Sequence, residues 1–526
     1  TYTPTHPGNI LLRSRALEGG VYSAISTYTV SVLANPSPTS STGGPILVLY
    51  DPSDPFGQYT AEIMRNEGLK SFALAPVAAM NTAGYLLADY DVVILAKTAL
   101  SGLQVSALTD FVTVQGGNLI AYRPDAQLDG LMGITGRSND ARSNQYLQVV
   151  TTAGTPGAGI VGETMQFHDV ADNYTIGSDA TAIAYFHSTS TPGTPTNPAI
   201  SQRIYASKGR AIAYAYDLNR SIVFTRQGNL AWKYQPRSPS PPVGAGNWPF
   251  QIPPGTNWPI RADDLFYGNM ASDPQPDWVD LNKIQIPQAD EQQRLLVNIV
   301  QLANYHRKPL PKFWYFPRKV KGVFVMTGDD HSRQSLGATN PESLTGAYFN
   351  LFKQRTPAGY DNAAGVADWR AIRGTSYIYD DSRHVNDSVA YYSNQGFELS
   401  THFQTNHNNL PDGIIPFWMN TQLADLRTHN PSIEPFSTER THAIVWTGWA
   451  HFPRIASNEY GIRLDVNYYH FPPSWIGYIS PGGERNGMYT GSAMPMRFAD
   501  SNGVLINSYQ VVTQLTDESA QTYPKA

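Results

Sequence analysis

The sequence contains no cysteine. That single absence excludes disulfides, thiolate metal sites and a cysteine nucleophile. Charge is scarce too. Asp, Glu, Lys and Arg together make up 15% of the chain, against about 25% in an average soluble protein. The 37 basic and 42 acidic residues leave a net charge of −5, without the basic excess that a nucleic-acid partner demands. No run of about 18 apolar residues exists, so no membrane span is expected. No signal-peptide pattern is present, and the chain opens Thr1-Tyr2-Thr3-Pro4 without a methionine. That opening is read as the product of processing.

What is present is apolar and aromatic. Hydrophobic residues make up 41% and aromatic residues 12% of the 526 positions, including 31 tyrosines. This is enough for substantial cores. At about 150 residues per domain, two to four domains are expected. A surface built from Ser, Thr, Asn, Gln and Tyr in place of charge reads as secreted and extracellular, with a polysaccharide or glycan as the partner.

Residues 1–34 alternate in short β-like runs, too few for an independent domain. They read as the remnant of an Ig-like β module, and 35–44 as a Pro/Ser/Thr/Gly linker. From 45 the pattern becomes strand–helix alternation. Buried-type strands are expected at 45–51, 91–96 and 117–122, and helices at 57–68, 106–114 and 290–305. Residues 145–225 are more β-rich. Alternation of this kind predicts a parallel, doubly wound sheet over 45–318. This half resembles the class I glutamine-amidotransferase-like, flavodoxin-like domains. In that family a nucleophile sits on a strand-to-helix elbow. Here the turn reads Ala96-Lys97-Thr98-Ala99-Leu100-Ser101, with no nucleophile motif, so no chemistry is expected of this domain.

Polar motifs concentrate in 319–526. Lys321–Met326 reads as a strand, followed by Thr327-Gly328-Asp329-Asp330-His331. Further strands are expected at 375–380, 397–402, 442–446, 462–469, 495–499 and 504–513, with helices at 385–395 and 415–429. About seven such steps predict a deformed (β/α)7-type barrel, so the whole chain is assigned to the α/β class. In such a barrel the C-terminal strand ends carry the active site. Asp329, Asp330, His331 and His402 all lie at such ends.

Thr327-Gly328-Asp329-Asp330 resembles the T-F-D-D motif of the polysaccharide deacetylases, carbohydrate esterase family 4. Ser400-Thr401-His402, with Asn406 and His407 close behind, is similar to that family's H-S/T-x-x-H/N motif. The resemblance covers about the last 200 residues and two of five family motifs. It implies Asp329 as catalytic base, and Asp330 and His402 as ligands of a divalent metal, with zinc the expected ion. The third ligand is His407 or Asn406. The family's late acidic His has no counterpart in Ile506-Asn507-Ser508-Tyr509-Gln510, which leaves His442 or His470 for that role. Arg463 and Asp465, two apart on one strand, are candidates for an ion pair serving fold or site. Trp446, Trp449, Tyr468, Tyr469 and Trp475 are candidates for stacking on sugar rings or for packing. The two-domain layout also resembles a group of large secreted proteins of actinobacterial type, from which no function transfers.

Three functions remain open at this point. One is a metal-dependent hydrolase of acetylated polysaccharide. Another is a non-catalytic glycan-binding or structural surface protein. A third is a glycosidic- or amide-bond hydrolase that pairs Asp329 or Asp330 with Asp465. The oligomeric state is left open.

Overall fold

The computed structural model describes residues 8–14, 17–18, 21–22, 26–32, 43–82, 84–195, 197–235, 260–266, 278–280, 282–329, 344–380, 388–405, 410–430, 433, 436–446, 448–468 and 489–513. Near the N-terminus, Gly8–Ser14 and Ser26–Val32 pair as an antiparallel ribbon.

The first large sheet is organised around five parallel strands. These are β1 (Ile46–Tyr50), β2 (Phe72–Pro76), β3 (Val92–Leu95), β4 (Asn118–Tyr122) and β5 (Arg210–Tyr214). Their spatial order is β2-β1-β3-β4-β5, a flavodoxin-like arrangement. Ile46-Leu47-Val48-Leu49 and Val92-Val93-Ile94-Leu95 are apolar throughout and fully buried. A strand covered on both faces requires that composition. Helices α1 (Tyr59–Asn66), α2 (Gly102–Thr113), α3 (Leu218–Gln227) and α4 (Gln288–Asn304) pack on the sheet. Ser101 and Gln104 close a capping box at the start of α2, and Asp217 caps α3 through the amides of Asn219 and Arg220. These caps satisfy amides that a helix start leaves open. The β-rich stretch between β4 and β5 adds four antiparallel strands and brings the sheet to nine.

The second sheet has seven strands. These are β6 (Thr327–Gly328), β7 (Thr375–Ile378), β8 (Glu398–Phe403), β9 (Thr438–Thr441), β10 (Leu464–Asp465), β11 (Met496–Ala499) and β12 (Leu505–Gln510). Their order is β6-β7-β8-β9-β10-β12-β11, and only the β11–β12 pair is antiparallel. The α/β class holds. The barrel is a curled half-barrel: among the described residues its two edge strands, β6 and β11, do not pair.

Two strand assignments shift. Residues 321–326 form no strand. Pairing starts only at Thr327 opposite Thr375, because the partner strand begins there. The strand placed at 442–446 lies instead at Thr438–Thr441, and His442–Ile444 turns as a 3-10 helix. The alternation Thr438-Glu439-Arg440-Thr441 is charged at its centre, and that concealed it as a buried strand.

The halves share one core. Arg497 on β11 is fully buried and its Nη1 meets Glu62 of α1 at 3.2 Å. The Gln227 side chain bonds both N–H and C=O of Ala499, each at 2.8 Å. Asp290 in the first turn of α4 accepts from the Ala493 amide at 2.9 Å. Trp449 meets Phe224 of α3 edge-on.

Candidate active site

The C-terminal ends of four consecutive parallel strands bring polar side chains together. Register places Ile378 opposite Thr401 and His402 opposite Arg440. Tyr379, one residue beyond Ile378, therefore shares a face with His402 and Arg440. His442 lies two residues past Arg440, just beyond the end of β9. Asp329 follows directly on β6.

Contacts follow this placement. The Arg440 Nη1 donates to Asp329 Oδ2 at 3.1 Å. The guanidinium is further anchored on Val466 O at 3.3 Å and on Thr513 Oγ1 at 2.9 Å. Buried His402 sets its Nδ1 3.1 Å from the Arg440 carbonyl. A carbonyl only accepts, so Nδ1 donates here and Nε2 is the nitrogen left to face the site. That Nε2 lies 3.3 Å from His442 Nδ1. The Tyr379 hydroxyl lies 2.5 Å from the same His442 nitrogen. Its ring stands edge-on to both imidazoles, at 4.8 and 5.4 Å between centroids.

The fit to a metal is testable on this geometry. Two nitrogens bound to one tetrahedral zinc at about 2.0–2.1 Å lie about 3.3 Å apart, as the two imidazoles do. His402 also has the second contact, to a carbonyl, that orients metal-binding histidines. Among the described residues, however, no group of three His, Cys, Asp or Glu side chains could hold a metal. Asp330, His331, Asn406 and His407 lie outside the described residues.

Several sequence candidates prove to be something else. Trp446 and Tyr468 are fully buried. Trp446 lies against Tyr468 and Phe498, with centroids at 5.2 and 5.9 Å, and Trp449 donates to Ala499 O. All three are core residues that no sugar ring reaches. Tyr469, His470 and Trp475 lie outside the described residues. Arg463 is exposed whereas Asp465 is buried, so the two do not act as a pair. Asp465 sits in register with Glu439 on β9. One Asn467 Nδ2 donates to both carboxyls, at 3.0 Å to Glu439 and 2.9 Å to Asp465. Burial first, and the facing carboxylate next, push Glu439 far above the usual range, and burial raises Asp465 as well. Two such groups share one proton. Asp465 is thereby committed to Glu439 and Asn467, and does not serve as a glycosidase carboxylate opposite Asp329.

Sequence reasoning missed Arg440, Tyr379 and Glu439. Arg440 and Glu439 were hidden by the displaced strand. Tyr379 had a usable signal, since it too directly follows a strand. In the first half, the Ala96–Ser101 turn commits its side chains to structure. Ser101 caps α2, and Thr98 Oγ1 donates to Ala99 O at 3.2 Å.

No family model matches the sequence, and no curated protein matches it. Solved structures give low-scoring likenesses. One is the exo-β-1,4-mannosidase Op5Man5 from Opitutaceae bacterium strain TAV5, at 10% identity and TM-score 0.26, over 34% of this chain and 32% of that one. Another is a glutamine amidotransferase from Thermotoga maritima, at 10% identity and TM-score 0.25, over 34% and 80%. A ThuA-like protein from Bacteroides uniformis gives 12% identity and TM-score 0.25, over 35% and 86%. The match therefore takes in about a third of the mannosidase. Scores of this size say nothing about substrate, and the deacetylase resemblance rests on the sequence motifs.

Proposed function

We propose that the protein is a secreted, metal-dependent hydrolase that removes acetyl groups from polysaccharide, with its site at the mouth of the half-barrel. One observation carries this reading: Asp329, Tyr379, His402 and His442 gather from four adjacent strands at the strand ends where α/β barrels do their chemistry. His402 Nε2 and His442 Nδ1 would hold the ion, with further donors from the segments around 330 and 407. A bound zinc would polarise the acetyl carbonyl and make its water acidic near neutral pH. Asp329, oriented by Arg440, takes the proton from the attacking water. With an ion on His442 Nδ1 the Tyr379 hydroxyl, 2.5 Å from that nitrogen, would give up the contact and stand within reach to steady charge on the departing oxygen or nitrogen. In this arrangement His442 is a ligand and not the acid.

The reading is tested by metal analysis of the purified protein after zinc loading and desalting. About one equivalent of metal is expected, falling in His402→Ala and in His442→Ala but retained in Asp329→Asn. No retained metal in the parent protein favours a non-catalytic glycan-binding role.

A further inference from the structure

The connection between α4 and β6 reverses the charge of the chain. Six Lys or Arg residues occur from Arg307 to Lys321, and no Asp or Glu lies between Glu291 and Asp329, in a protein of net charge −5. Part of this charge is matched internally. Arg307 and Lys308 both pair with Asp91, Lys312 pairs with Glu67, and Arg318 pairs with Asp368. Lys319 and Lys321 point outward on exposed backbone.

Apolar side chains share this surface. Phe324 is 88% exposed and Val325 64%, while Trp314 and Trp369 are each 57% exposed. Trp314 and Trp369 are tied to the connection by contacts, and Phe324 and Val325 continue it along the chain. The Arg318 guanidinium lies over the Trp369 ring at 5.6 Å, and Trp314 Nε1 donates to Val320 O at 2.8 Å. Large apolar side chains this exposed, on a segment that also carries exposed lysines, mark an interaction site. It precedes β6, whereas Asp329 follows β6, so the two lie at opposite ends of that two-residue strand.

We infer that this strap docks the protein on an anionic lipid surface. Lysines at a membrane face attract acidic headgroups, and a Val-Phe-Val tip reaches the acyl boundary between them. Aromatic rings beside the tip suit the headgroup layer. A second copy of the chain fits poorly, because two basic straps repel. A sugar chain or a nucleic acid uses flat aromatic faces but gains little from Val323 and Val325. Binding is peripheral, since among the described residues no helix is long and apolar enough to cross a membrane. The inference does not depend on the proposed deacetylase activity.

The test is co-sedimentation of the full chain with phosphatidylcholine vesicles, made with and without phosphatidylglycerol, at low and high salt. Binding is expected to the anionic vesicles only, and weaker at high salt. Phe324→Ser with Val325→Ser, and separately Lys319→Glu with Lys321→Glu, should each lower partitioning by about tenfold or more. Circular-dichroism melts check that the variants fold. If either does not, quenching of tryptophan fluorescence by brominated lipid reads the same contact in the unaltered protein. The inference is overturned by equal binding to neutral vesicles or by no binding at low salt. It is also overturned by indifference to both folded double variants, or by retention on an acidic polysaccharide without vesicle binding.

Discussion

Glu62→Ala should destabilise the protein as a whole, not only its first half. Glu62 Oε1 accepts from the Arg497 backbone N–H at 3.0 Å, and Oε2 meets the Arg497 guanidinium at 3.2 Å. Tyr59 donates its hydroxyl to the Arg497 carbonyl at 3.0 Å. Truncating Glu62 leaves a buried guanidinium without its carboxylate and an amide without its acceptor. Breaking a buried pair from one side costs about 3–5 kcal/mol. Glu62→Gln keeps the acceptor for the amide and loses only the charge, so it should cost less. Replacing both residues by leucine should recover much of the loss, because a well-packed apolar pair avoids the desolvation of two charges. The assay is urea unfolding followed by tryptophan fluorescence and far-UV circular dichroism. Coincident transitions are expected, shifted together by Glu62→Ala, because Trp449 and Phe224 place one core across the seam. Two separated transitions, or a loss below about 1 kcal/mol, would refute the claim that the halves form one cooperative unit.

Three further outcomes follow from buried groups. Burial lowers His168 to about 4, so the unfolded chain binds more protons between that value and its ordinary value of 6.5. Its contribution to stability is therefore complete above about pH 6.5 and declines as pH falls towards 4; in melts across this range, His168→Gln should flatten the acid slope. Glu439 is raised in the folded state, so stability is lost as pH rises from the ordinary glutamate value through the raised one. Glu439→Gln, which carries its hydrogen permanently, should melt above the parent protein by a margin that grows with pH. Trp446→Ala should cost about 3–5 kcal/mol as a core cavity, read in denaturant unfolding, while glycan affinity of the folded fraction stays unchanged.

In the first sheet the strands at Ile46–Leu49 and Val92–Leu95 could be read because a parallel strand buried on both faces is an uninterrupted apolar run, whereas Phe72–Pro76, buried only at its first residue, was missed. In the second sheet five strands were read in place and two were displaced, and its interior was hidden because its strands carry polar residues inward. Ser400, His402, Glu439 and Arg440 look like surface positions until the register is known. Lys321–Met326 alternates like a strand, but its ladder contact among the described residues is the Met326 carbonyl accepting from the Thr375 N–H, and strand pairing begins at Thr327. Asp329 and His402 could be found because each ends a strand. The partnership of Arg440 with both could not, since it joins residues 111 positions apart. Trp446 and Tyr468 show the converse: an aromatic side chain looks the same in sequence whether it packs in a core or lines a groove.

The central claim, that the mouth of the half-barrel is a metal-dependent deacetylase site, is tested most directly by acetate release. Acetylated chitin, xylan and peptidoglycan fragments would be incubated with the zinc-loaded protein, with and without a strong chelator, alongside Asp329→Asn. Acetate release that the chelator abolishes, and that Asp329→Asn lowers by about a hundredfold or more without loss of metal, is the predicted result. Release that survives the chelator, or that Asp329→Asn leaves intact, would contradict the account.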